Sequence, residues 1–326
     1  MMNLPFSRRA ALCGALSLLA CAAALAQPDN YPHKPITIVV GYPPGGSTDL
    51  NGRAIGAELS RKLGVPVIID NIGGAGGAIG AQKVANAAAD GYTLLVGASN
   101  EIAISRLVSG AVKYGLKDFT PIGLIAAQPM VLVASQKSGV KTVEQFISQV
   151  RQHPGKYSYG SSGVGTALHL AGEMVKDQGG LFMTHIPYRG VAPLANDLLG
   201  NNIDFGMFVL SSGLPHIRSG KVIALGTTEA KRSAVTADIP ALAENPRLKG
   251  IDINIWFALM GPAHLPEPVM AKLKQALNDS LQTPELRKKL EDSGSTVSPL
   301  NVDMPKFLNQ ETVKFKRIVE FAKIKE

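Results

Sequence analysis

The sequence predicts an α/β protein built from two domains, one inserted into the other. Three observations predict it. Strand-like and helix-like runs alternate along most of the chain. The strands are apolar throughout rather than every second residue, the pattern of strands covered on both faces. About 300 residues follow a leader-like N-terminus, more than one core comfortably serves.

The leader comes first. MMNLPFSRR is a basic start, AALCGALSLLACAAA an apolar stretch, and Ala24-Leu25-Ala26 a small-residue cleavage site. Residues 1–26 are therefore expected to be a signal peptide, with Gln27 as the mature N-terminus and the periplasm as destination. The apolar run is near the lower limit for a membrane span and rich in small residues, which favours cleavage over anchoring. Ser7-Arg8-Arg9 resembles a twin-arginine signal without its usual Phe. Leu18-Leu19-Ala20-Cys21 reads as a lipoprotein box, the alternative in which Cys21 carries a lipid anchor. Cys13 and Cys21 both fall in the leader, so the mature chain is expected to lack disulfides, thiolate nucleophiles and cysteine metal sites. Further on, the longest apolar stretch, 121–134, is broken by Gln128-Pro129.

Residues 36–40 read as a strand and 48–63 as a helix. Residues 65–70 form the next strand, 78–88 a small-residue helix and 92–96 a third strand. That βαβαβ order implies a parallel sheet. Residues 119–126 and 130–134 read as two strands separated by Gln128-Pro129. A second α/β unit follows: helix 142–153, strand 157–159, helix 165–176, strand 184–187, helix 192–199, strand 203–209 and strand 222–227. Strand 253–260 and helices 266–281, 285–292 and 304–325 complete the chain. The economical division puts 27–126 and 228–326 in domain 1 and 127–227 in domain 2. The chain then crosses twice, near 126 and near 227, and two crossings make a hinge over a cleft.

Loss of Arg8 and Arg9 with the leader lowers the formal charge from +8 to +6. The remaining cations are scattered, apart from the amphipathic end KFKRIVEFAKIKE, and aromatics are not interleaved with them. Nucleic-acid binding is therefore not expected.

Three glycine-rich turns follow strands: GYPPGGSTD, NIGGAGGAIG and SSGVGTALH. In open α/β sheets ligands lie beyond the carboxyl ends of the strands. Gly45 and Gly46 let backbone amides approach a ligand, and Ser47 and Thr48 add hydroxyls where a helix cap belongs. A helix N-terminus with unpaired amides is a cradle for carboxylate or phosphate. Gly73, Gly74, Gly76 and Gly77 repeat the device. Gly163, Gly165 and Thr166 repeat it again, with His169 on the same helix face either to meet an anion or to sit buried on a backbone carbonyl. Tight turning alone is the competing reading of these glycines. None matches a P-loop or dinucleotide fingerprint, and no cofactor is expected.

Catalytic and metal signals are weak. Gly160-Ser161-Ser162-Gly163-Val164 misses a nucleophile elbow at its last position. Ser138-Gly139-Val140-Lys141 lacks the partner motifs that an S-x-x-K nucleophile requires. His33, His153, His169, His185, His216 and His264 show no metal-ligand spacing. An enzyme is not expected.

The segments VGYPPGGSTD, LGVPVIIDNIGGAGGAIGAQKVANAAADGYTLL, GSSGVGTALHLAGE, HIPYRGVAPLANDLLGNNIDF, LPHIRSGKVIAL and WFALMGPAHLP follow in this order. Together they resemble the Bug family, periplasmic solute-binding receptors of the tripartite tricarboxylate transporter type. The resemblance spans essentially the whole mature chain. It implies a two-domain periplasmic-binding-protein-like fold (type II) with two crossing hinge strands. It also implies a small organic anion as ligand, a mono- or dicarboxylate or an amino acid, held mainly by loop backbone and hydroxyls. Membrane permease subunits would be the partners of a monomeric receptor. Carried over by position, Tyr42, Gly45, Gly46, Ser47, Thr48, Gly76 and Asn100 would line one wall of the cleft. Ser161, Gly165, Thr166 and His169 would line the other, and Asp204 matches a recurrent acid. Departures include Tyr42 where Phe is common, Ile72-Gly73 in place of Arg-Pro, and Phe208–Ser211 without the acid or amide often found there. A sensor signalling to a membrane kinase is the alternative role on the same fold.

Overall fold

A computed structural model of the chain describes residues 31–233, 236–322 and 324. The expectations of cleavage after Ala26, twin-arginine export and lipid attachment at Cys21 fall outside them. Within the unit Lys34–Glu326, β1 (Ile36–Val40) leads through the first glycine turn into α1 (Ser47–Leu63). Gly64 ends that helix in the left-handed region, its N–H on the Ser60 carbonyl. β2 (Val67–Asn71), α2 (Ala78–Ala85) and β3 (Thr93–Ala98) follow. β1 pairs in parallel with both β2 and β3, as the βαβαβ order requires. β2 is the sheet edge, so its apolar residues are not all covered; Ile68 remains 53% exposed.

A single π-helical turn, Asn100–Ile104, then passes into the short α3 (Ser105–Val108). Next comes one 17-residue strand, β4 (Phe119–Ser135), where two separate strands were expected. The reason lies in its pairing. Up to Pro129, β4 runs antiparallel to β9 (Asn254–Pro262); from Met130 it runs antiparallel to β7 (Phe205–Val209). Proline lacks an N–H to donate, and Pro129 sits where one ladder hands over to the next. The buried Gln128 secures the junction: its Nε2 donates to Ser295 Oγ at 3.2 Å, and its Oε1 accepts the Ser211 N–H at 2.8 Å.

The second half contains α4 (Val143–Gln152), β5 (Ser158–Ser161), α5 (Ala167–Gly179), β6 (Thr184–Pro187), α6 (Val191–Leu199), β7, α7 (Leu210–Arg218) and β8 (Val222–Thr227). α7 was not expected, and it contains Pro215, which disfavours a helix interior. Burial of Leu210 and Leu214 in the local core overrides that signal. Phe146 of α4 meets Phe205 of β7 edge to face at 4.8 Å. After β9 the chain adds α8 (Glu267–Leu281), α9 (Pro284–Asp292), β10 (Thr296–Val297) and α10 (Met304–Ala322).

The ten strands of the described residues form one sheet, ordered β2-β1-β3-β9-β4-β7-β5-β6, with β8 and β10 also paired to β4. It is mixed rather than parallel. Two parallel triplets, β2-β1-β3 and β6-β5-β7, are joined by the antiparallel β9 and β4. The first two glycine turns leave β1 and β2, and the third leaves β5. All three lie at the carboxyl ends of parallel strands. No helix among the described residues is long and apolar enough to cross a membrane.

Candidate functional site

The first turn is shaped by a carboxylate. Gly46 is the N-cap of α1 and offers no side-chain cap, so Ser47 and Thr48 lie in the first helical turn instead of the cap position expected. Asp49 does the holding. Its Oδ2 accepts the Gly45 N–H at 2.9 Å and Arg53 Nε at 3.0 Å, and its Oδ1 accepts Asn71 Nδ2 at 3.0 Å. Asn71 Nδ2 also donates to the Tyr42 carbonyl. Burial works to raise the Asp49 carboxyl, but the Arg53, Gly45 and Asn71 donors outweigh it and hold it below its ordinary range. The side chain that keeps this turn in place therefore stays charged.

The second turn packs onto the first through Tyr42. Its hydroxyl donates to the Gly76 carbonyl at 2.6 Å, accepts from Asn100 Nδ2 at 2.8 Å and lies 3.0 Å from Glu101 Oε2. Glu101 is 1% exposed, and its Oε1 accepts the Ala98 N–H at 2.7 Å. Burial pushes this carboxyl up to about 7, with the Ala98 amide acting the other way. Gly77 has φ +96, and a Cβ there would lie 2.9 Å from both Glu101 Oε2 and Tyr42 Oη. Only glycine fits that close approach. Asn100 then reaches the other half of the molecule, where its Oδ1 accepts the Ala167 N–H at 2.7 Å, the first amide of α5.

The third turn rests on histidines. Thr166 caps α5: its Oγ1 accepts the His169 N–H, accepts Ser162 Oγ at 3.2 Å and donates to the Gly163 carbonyl at 2.8 Å. His169 Nδ1 accepts the Gly165 N–H at 3.0 Å, and its ring stacks on His185 with centroids 3.9 Å apart. His185 Nε2 lies 2.7 Å from Ser161 Oγ. Burial lowers His169 to about 4 and His185 to about 3, so both rings are neutral at neutral pH. Behind them Glu173 accepts Tyr159 Oη at 2.6 Å and Lys176 Nζ at 2.9 Å.

The three turns wall a cleft of about 470 Å³. Tyr42, Gly76 and Gly77 line it from one side, and Ser162, Gly163, Val164 and Gly165 from the other. Ser105, Val108 and Val112 form part of its inner wall, and Tyr188 and Arg189 also line it. Apolar groups dominate, and Arg189 is the one charged side chain among these lining residues. A neighbouring space of about 20 Å³ is enclosed by Gly46, Ser47, Thr48, Asn100, Ser162 and Leu168, among others. Tyr42 lines both spaces.

The structure thus gathers Tyr42, Gly46, Ser47, Thr48, Gly76, Asn100 and Gly165 around two adjoining spaces. Gly45, Ser161 and Thr166 lie in the same turns but are engaged in holding them. His169 does not face the cleft; its ring is turned inward onto His185 and is satisfied by a backbone amide. Asp204 lies elsewhere, accepting the Ser158 N–H at 2.8 Å and its hydroxyl at 3.1 Å. Asp49, Glu101, Ser162 and Arg189 were not singled out from sequence. Asp49 carried a signal, as a carboxylate in the first turn of a helix after paired glycines; Glu101 carried none. Among the described residues no group of three His, Cys, Asp or Glu is placed to hold a metal ion.

Comparison with known proteins identifies the family. The family described as tripartite tricarboxylate transporter family receptor matches residues 52–324. Protein BugT of Bordetella pertussis is 32% identical over 292 residues, covering 89% of each chain. A solved R. palustris protein with adipate superposes with a TM-score of 0.87 at 31% identity, over 90% of this chain and 99% of the other. MatC from Rhodopseudomonas palustris with bound malate gives 0.83 at 30% identity, over 89% and 100%.

Proposed function

The chain belongs to the tripartite tricarboxylate transporter receptor family, and from that premise we propose that it captures one small organic carboxylate between its glycine turns and delivers it to a membrane permease. The family is one of solute-binding receptors, not enzymes. The observation that carries the reading is the cleft itself: three side-chain-poor turns, two from one half and one from the other, face a shared space beside two helix N-termini. An anion there gains from backbone amides, hydroxyls and helix dipoles. The relatives solved with adipate and with malate support a carboxylate.

In this reading Tyr42, Gly45, Gly46, Ser47, Thr48, Gly76 and Asn100 serve the ligand from one domain, 27–126 with 228–326. Ser161, Gly165 and Thr166 serve it from the other, 127–227. His169 supports its turn from behind, and Asp204 braces β5. The domains close about the crossings in β4 and after β8, and closure gains only what the ligand's contacts add to the closed form. The leader sends the receptor to the periplasm.

Calorimetry against mono- and dicarboxylates, amino acids and aromatic acids tests the reading. One class should bind in the micromolar range or tighter, and Thr166→Val should weaken it by about tenfold, because loss of the Oγ1 bonds to Gly163 and the His169 N–H loosens the third turn. Absence of binding across the whole set, or an unchanged affinity in Thr166→Val, would count against the site as drawn.

A further inference from the structure

One hydroxyl has three polar neighbours, and its protons can be counted. The Ala167 N–H donates to Asn100 Oδ1, so the other end of that amide, Nδ2, faces Tyr42 and donates to its Oη. The Gly76 carbonyl can only accept, and at 2.6 Å it takes the single phenolic proton. A 3.0 Å contact remains between Tyr42 Oη and Glu101 Oε2. Only a proton on the carboxyl can fill it.

We propose that Glu101 is a neutral carboxylic acid in the folded receptor, donating to Tyr42 Oη as a positioning residue, and that its ionisation weakens anion capture in the cleft above. The other oxygen, Oε1, accepts the Ala98 N–H, as the carbonyl oxygen of an acid does. The groups that face the carboxyl are Tyr42 and, from the segment after α3, Tyr114, whose hydroxyl donates to the Glu101 carbonyl. Charged groups on the elements packed around it point elsewhere. Lys83 of α2 pairs with Asp70, Arg106 of α3 lies against Gly115, and Glu311 of α10 accepts the Trp256 indole N–H. Among the described residues no cation stands by to stabilise an ionised Glu101, and burial raises its pKa toward neutral pH.

Ionisation has a definite structural consequence. The Glu101 proton leaves to water, and the Tyr42 proton turns from the Gly76 carbonyl to the new carboxylate. Gly76 O and Tyr42 Oη then face each other with lone pairs only. Negative charge also appears directly behind Gly77, which lines the cleft. Both effects oppose an anion, so by linkage anion binding draws a proton onto Glu101. The affinity half of the proposal rests on the carboxylate-receptor reading; the proton itself does not.

Two measurements test it. The first needs no ligand: thermal unfolding of wild type and Glu101→Gln from pH 4 to 9. Because the folded pKa lies above the unfolded one, the stability tied to the proton is complete below about 4.5 and is lost as pH rises to about 7. Wild type should therefore lose melting temperature relative to Glu101→Gln across that window and run parallel to it above. A constant difference at all pH values overturns the proposal. Should Glu101→Gln not fold, wild type alone decides: an infrared carbonyl band of a protonated carboxyl at pH 6 that fades by pH 8 supports the proton, and its absence refutes it. The second measurement titrates adipate. Wild-type affinity should fall above pH 7 by up to about tenfold per pH unit, while Glu101→Gln stays flat. Equal pH dependence in both proteins overturns the affinity half. No adipate binding at any pH counts against the carboxylate reading and the affinity half together, and leaves the unfolding arm to decide the proton.

Discussion

Beneath the first two glycine turns sit carboxyls; beneath the third sit stacked histidines. Asp49 is held charged by Arg53, Gly45 and Asn71, and Glu101 is pressed toward neutrality by burial. On the other side His169 and His185 are pressed toward neutrality as well, with Glu173 and Lys176 paired behind them. Glu101 and the histidine pair are thus both pushed toward their neutral forms, but from opposite directions. Raising the pH threatens the Glu101 side and lowering it threatens the histidine side. What remains to attract an anion is backbone dipole, hydroxyl and the Arg189 guanidinium.

That contrast can be broken or sharpened by mutation. The largest effect is expected from Gly77→Ala. A left-handed backbone with a Cβ 2.9 Å from two polar oxygens should cost about 3 kcal/mol and abolish ligand binding, read by urea unfolding and calorimetry. A cost under about 1 kcal/mol would mean the second turn is not packed on Tyr42 and Glu101.

Next comes acid. The histidines have folded pKa values below the ordinary 6.5, so their contribution is present above pH 6.5 and is lost as pH falls toward about 4 and about 3. Wild type should lose about 2–3 kcal/mol more than His185→Gln between pH 7 and pH 4 in denaturant titrations. Equal losses would show that the stack does not resist protonation. A smaller effect is expected from Asp49→Asn, which weakens the hold on the Gly45 amide and should cost about 1.5 kcal/mol. Its binding should fall with its stability; unchanged binding would separate the first turn from the ligand. Thr166→Val should have the smallest effect on stability, about 1 kcal/mol for a lost cap, and its unfolding curve should keep the wild-type slope.

Much of this was legible in the residues. The strand-like runs 36–40, 65–70 and 157–159 and the glycines that follow them place three turns at strand ends with no tertiary information. The misreadings have local causes. Gln128-Pro129 reads as a break because proline cannot donate within a ladder, yet the missing donor falls between two ladders. His169 shares a helix face with Thr166, but spacing cannot say whether a stack with His185, sixteen residues away, turns the ring inward.

The sequence by itself determined that strands and helices alternate, that the turns between them are nearly bare of side chains, and that neither a cysteine nor a metal motif follows residue 26. These are properties of neighbouring residues, set by backbone sterics and hydrophobic periodicity. Tertiary structure alone decided which groups stand behind the turns. Glu101, Tyr42, Asn100 and Ala167 come from segments up to 125 residues apart in the chain, and their protonation depends on burial and on proton counting among partners that meet only once the sheet has formed. Long-range electrostatics of that kind leaves no periodic trace in a sequence.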